Sequence, residues 1–117
     1  MIIKEITMVN ERGKEYGMEV YLNTSSIKMI EQGLKKLNPK YTFYNAIPLL
    51  EKGEMSVAIV YITGCLHKVG NYRAMSEEFF DENNIDFFKY QNEVIGKLIE
   101  CLADMNPSTK LDNNAGK

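Results

Sequence analysis

Tryptophan is absent, histidine occurs once (His67), and arginine is confined to Arg12 and Arg73. Cysteine is limited to Cys65 and Cys101, and proline to three positions. Each shortage narrows the chemistry. One histidine and two widely separated cysteines make neither a zinc ligand set nor a C-x-x-C pair. Gly13, Gly17 and Gly33 stand alone, so no glycine-rich phosphate loop is present, and they read as turn or close-packing residues. The segment DENNID at 81–86 has the acids of a calcium loop but lacks its glycine and its closing glutamate. With a net charge of -2 and a pI near 5.5, the chain has no basic footprint for phosphate backbones. Lys35, Lys36 and Lys40, the densest basic cluster, read as a solvated helix face, and no nucleic-acid partner is expected.

Long apolar runs are also missing. The longest uncharged stretch spans residues 55–66, well short of the roughly 20 apolar residues of a membrane-crossing helix. No membrane partner is expected. The start, MIIKEITMVNERGK, has charge scattered through it, unlike a secretory leader. Both cysteines sit inside apolar stretches and read as small core hydrophobes in a reducing cytoplasm.

What is present is ordinary for a folded domain: 117 residues, 44% hydrophobic and 26% charged. Residues 2–9 and 18–24 read as two short strands around NERGKEYG, with Gly13 and Gly17 as turn residues: a β-hairpin. From residue 24 the period changes. Thr24, Ser25 and Ser26 offer N-cap oxygens, and Ile27, Ile30, Leu34 and Leu37 share one helical face up to Asn38-Pro39. A second helix is expected within 42–52, either kinked at Pro48 or helical only from Pro48 onward. The central run, 54–67, is rich in β-branched residues, which favour a strand. Its length and its position between helical segments favour a helix. On that reading His67 ends a helix and complements its C-terminal dipole. Ser76 is expected to cap a short helix over 77–83. Asp86 is expected to cap a long one over 87–105 whose buried stripe is Phe87, Gln91, Val94, Leu98, Cys101 or Leu102, and Met105.

The expected architecture is mainly α within an α+β class. A β-hairpin at 1–24 precedes a bundle of four to five helices over 25–105, forming a single globular domain, with 106–117 as a disordered tail. No catalytic, cofactor-binding or metal-binding residue is assigned. Protein binding fits better. The doublets Phe79-Phe80 and Phe87-Phe88 leave two readings open: one member of each pair stays partly exposed, where aromatics serve interfaces, or both are core or boundary residues. Seven methionines add adaptable apolar surface.

The order of elements resembles a known family. A two-strand segment precedes an amphipathic helix, then a short apolar helix ending in Glu51-Lys52-Gly53-Glu54, then an apolar helix. An acidic segment from Ser76 to Asp81, a long amphipathic helix and a polar tail complete it. This layout is similar to the tail assembly chaperones of long-tailed bacteriophages and prophages of Gram-positive hosts. The resemblance covers residues 1–105 and rests on element order rather than a motif. It implies a non-enzymatic protein of the host cytoplasm that forms ring or spiral homo-oligomers. Such a protein binds the tape measure protein and helps recruit the tail tube protein, without cofactors. It also implies a longer frameshifted form, for which Gly116-Lys117 suits a slippery codon pair. Pro48 and the β-branched central run depart from a smoothly helical layout. The competing reading is a small inhibitor or immunity protein that blocks an enzyme through an acidic face at Glu77 to Asp86. A helix-turn-helix regulator is disfavoured by the charge balance.

Overall fold

The computed structural model describes residues 2–105, so the tail expected at 106–117 lies outside the described residues. The hairpin forms from β1 (Lys4–Val9) and β2 (Glu15–Val20), antiparallel, with Ile6 opposite Met18 and Thr7 opposite Gly17. Alternation puts Ile6, Met8, Met18 and Val20 on the buried face. The turn is tighter than the sequence suggests. Asn10 carbonyl oxygen accepts from Gly13 N (3.0 Å), Asn10 N donates to Lys14 O (2.9 Å), and Gly13 takes φ +82°. That is the three-residue hairpin loop closed by a left-handed glycine. Because it closes at Lys14, β2 starts at Glu15, and Gly17 sits inside the strand rather than in the turn.

Helix α1 (Thr24–Leu37) begins one residue earlier than the expected caps. Asn23, not Thr24, Ser25 or Ser26, is the N-cap, its Oδ1 accepting from Ser26 N at 2.7 Å. Ile30 and Leu34 are buried and Ile27 is partly so, but Leu37 is 45% exposed, because α1 ends there and runs past its partner. Residues 42–46 form a turn in which Thr42 and Asn45 bond reciprocally. Helix α2 (Ile47–Glu51) carries Pro48 in its first turn, where the missing N–H costs nothing.

The central run is both things that its composition allows. Helix α3 (Met55–Cys65) is followed at once by a strand, β3 (Leu66–Lys68), antiparallel to β2. The expectation of a helix through His67 is thus corrected at its end. The far edge of β2 presents backbone groups that need partners. Leu66 turns to an extended ψ of 130°, and Cys65 O accepts from Tyr21 N at 3.1 Å. The three strands make one sheet in the order β1-β2-β3.

Helix α4 (Glu78–Glu82) receives only a backbone oxygen from Ser76, not a side-chain cap. It stops at Asn84, whose φ of +56° is a conformation that asparagine tolerates better than most residues. Helix α5 (Phe87–Met105) is led by Asp86, whose Oδ1 accepts from Phe88 N at 3.0 Å. Its buried side is Tyr90, Val94, Leu98, Cys101 and Leu102, with Tyr90 where Gln91 was expected. Tyr90 OH accepts from Val9 N at 2.8 Å and so covers part of the free edge of β1. The buried apolar side chains form one cluster drawn from every element. The class is α+β: three long helices, two single-turn helices and a three-stranded sheet.

Candidate functional site

His67 is fully buried in β3, not at a helix end, so the expected dipole role is corrected. Its ring lies flat on Tyr21, with centroids 3.8 Å apart and planes 6° from parallel. Its Nε2 is 3.1 Å from Ser26 Oγ, a serine–histidine spacing that nothing in the local sequence signals. The direction of the proton decides what this pair can do. Asn23 is oriented by two bonds: Nδ2 donates to Tyr72 O, and Oδ1 accepts from Ser26 N. Oδ1 carries no proton, so its 2.8 Å contact with Ser26 Oγ is the hydroxyl donating to it. That uses the single hydroxyl proton, and Nε2 therefore donates to Oγ. A general base would need a bare nitrogen facing the hydroxyl. Nδ1 is buried and without a hydrogen-bond partner among the described residues. Desolvation holds the imidazole below its ordinary pKa, and the ring is neutral. Ser26 is buried as well. The chain Asn23–Ser26–His67 ties the start of α1 to β3.

Cys65 and Cys101 are free and buried, and burial pushes both thiols up, away from reactive thiolate. Among the described residues, no three His, Cys, Asp or Glu side chains converge where a metal ion could sit. No helix among them is long and apolar enough to cross a membrane.

One apolar surface lies along α3. Most of this helix is buried, and exposed Met55, half-buried Ile59 and buried Thr63 recur every four residues and so form one line along it. They floor a cleft of about 280 Å³ whose opposite wall is Glu77, Phe80, Asp81, Phe87 and Phe88. On the other flank of α3, a second cleft of about 190 Å³ runs between α1 and α3, lined by Met29, Gln32, Gly33, Lys36 and Val60. The two meet at Thr63 and Glu77, which line both. Along the second cleft α1 approaches α3 closely. A Cβ on Gly33 would lie 2.9 Å from Val60 Cγ1, and one on Gly64 would lie 2.2 Å from Ile30 Cγ1.

The aromatic doublets divide unevenly. Phe79 and Phe80 are both buried, which is the core reading of that doublet. The single-turn α4 is packed on two sides: Phe79 meets Tyr16 of β2, and Phe80 meets Phe87 of α5. In the second doublet the exposed reading holds, since Phe88 is 68% exposed at the cleft wall. Met29 and Met55 are also exposed there. The acids Glu77, Glu78, Asp81 and Glu82 are exposed, and none has a salt-bridge partner among the described residues, where the ion pairs are Lys4–Glu100 and Lys97–Glu93. Glu77 and Asp81 stand on the rim of the larger cleft.

No family model, curated protein or solved structure matches this chain.

Proposed function

We propose that the chain is a non-enzymatic tail assembly chaperone whose docking face is the pair of clefts along α3. Apolar side chains on a tape measure protein are sheltered there until the tail tube protein replaces the chaperone. The observation that carries the reading is the set of exposed Met29, Met55 and Phe88 around a recessed apolar floor. Methionine and aromatic side chains at a surface suit adaptable apolar contact. The helices from α1 to α5 serve as the supporting bundle, copies of the chain assemble into a ring or spiral, and the work is done in the host cytoplasm. The element order set out above supports the same assignment.

The test joins solution mass with capture of the partner. The chain should form species larger than a monomer as its concentration rises. It should co-purify with a co-expressed tape measure protein encoded beside it. Ile59→Glu, a charge on the cleft floor, should abolish co-purification. A strict monomer at every concentration, together with no co-purification, would overturn the proposal. The second reading, an enzyme inhibitor, draws on the unpaired acids Glu77, Glu78, Asp81 and Glu82. It predicts a stoichiometric one-to-one complex that lysine at these four positions dissolves.

A further inference from the structure

We infer that the occupant of the α3 clefts is a basic amphipathic helix of a partner protein, its apolar stripe on Met55, Ile59 and Phe88 and its lysines or arginines against Glu77 and Asp81. The inference rests on the docking-face reading above and specifies its ligand.

The helical form follows from the floor. Met55, Ile59 and Thr63 belong to α3, whose backbone groups beyond the first-turn amides are spent on its own hydrogen bonds. An added strand gains most of its affinity from backbone bonds to a free sheet edge, and this surface has none to give. A segment entering here must satisfy its own backbone, which a helix does and an extended chain does not. The line from residue 55 to residue 63 spans about 12 Å, slightly more than two helical turns, so a partner helix can seat two or three successive side chains at i, i+3 or i+4 and i+7.

The basic character follows from the rim. Glu77 and Asp81 face the larger cleft, with Glu78 and Glu82 on the same short helix. Among the described residues Lys36 is the one cation lining either cleft, and it lies on the α1 side. A neutral or acidic ligand seated against Phe80 and Phe88 would strip water from these carboxylates and return nothing. Lysine or arginine on the ligand's flank compensates that loss and also speeds encounter at low salt.

The test uses fluorescein-labelled helical peptides of about 18 residues, or five turns, on one leucine–alanine scaffold with either lysine or glutamate along the flank. Anisotropy titrations against the full chain should show the lysine peptide binding at least about tenfold more tightly, a difference of about 1.4 kcal/mol. The Glu77→Lys/Asp81→Lys variant should invert the order, and Ile59→Glu should abolish binding of both. Circular dichroism melts check folding, and Met55→Glu, at the more exposed end of the floor, replaces Ile59→Glu if that variant does not fold. Equal affinities for the two peptides, or an order unchanged by charge reversal, would overturn the basic occupant while leaving the docking face standing. Failure of both peptides to bind, or binding indifferent to the floor substitution, would overturn both.

Discussion

The close approach of α1 and α3 makes Gly64→Ala the sharpest perturbation available. A Cβ at residue 64 would sit 2.2 Å from Ile30 Cγ1 and 2.9 Å from its Cδ1. Carbon atoms prefer about 3.5–4.0 Å, so the nearer contact falls short by more than about 1.3 Å. Cγ1 is anchored next to the backbone, and Ile30 is fully buried, so no free rotamer absorbs the overlap. Either α1 moves away or Ile30 is driven out of its well, at about 1–3 kcal/mol and occasionally more. Alanine returns about 1 kcal/mol of helix propensity. For a clash this short we expect the upper end of the overpacking range and a net loss of about 2 kcal/mol. Two glycines calibrate the result. Gly33→Ala meets Val60 alone, its Cγ1 at 2.9 Å and its Cγ2 at 3.5 Å, on a half-buried side chain that can shift, so the two terms should nearly cancel. Gly96→Ala on the exposed side of α5 meets nothing within 4 Å and should stabilise by about 0.5–1 kcal/mol. Urea unfolding followed by circular dichroism measures all three. The expected order of midpoints is Gly64→Ala lowest, Gly33→Ala near the parent and Gly96→Ala highest. A Gly64→Ala protein as stable as its parent, with an unchanged urea slope, would refute the packing argument.

Two further predictions concern buried polar groups. In the unfolded chain the imidazole of His67 takes a proton near pH 6.5, whereas burial keeps it neutral to lower pH in the fold. The unfolded state therefore binds more protons below pH 6.5, and stability should fall as pH drops from there towards the folded pKa, by at most about 1.4 kcal/mol per unit. His67→Gln should flatten that slope between about pH 6.5 and 5, above the range of ordinary carboxylates, and parallel slopes would contradict the assignment. Tyr61 OH donates to the carbonyl of Phe43 inside the core. Tyr61→Phe leaves that oxygen unpaired and should cost about 1–3 kcal/mol in urea unfolding, and an unchanged midpoint would show that the bond contributes nothing.

The hairpin, the extents of α1 and α5 and the late start of α2 were legible in the residues, because each depends on neighbours in sequence. Gly13 fixes the turn, Pro48 suits the first turn of a helix, and Asp86 caps α5 wherever α5 packs. The period-two and near-four spacings of apolar residues likewise name most of the core. Gly17 and the Asn23 cap were misread locally, and elsewhere a distant partner intervened. Leu66 and His67 leave the helical path because β2 offers an unpaired edge, and β2 lies more than forty residues earlier in the chain. Phe79 is buried because Tyr16 reaches it, and Ser26 bonds His67 because α1 starts beside β3. The α3 clefts belong to the same class. Met29, Met55, Glu77 and Phe88 are remote in sequence and become one surface only when α1, α4 and α5 close around α3. Local backbone preference, settled within a few residues, was therefore determined by the sequence alone. The partners of each buried polar group and the shape of the binding face were decided by tertiary packing, because both depend on which distant elements compete for the same exposed edge or face.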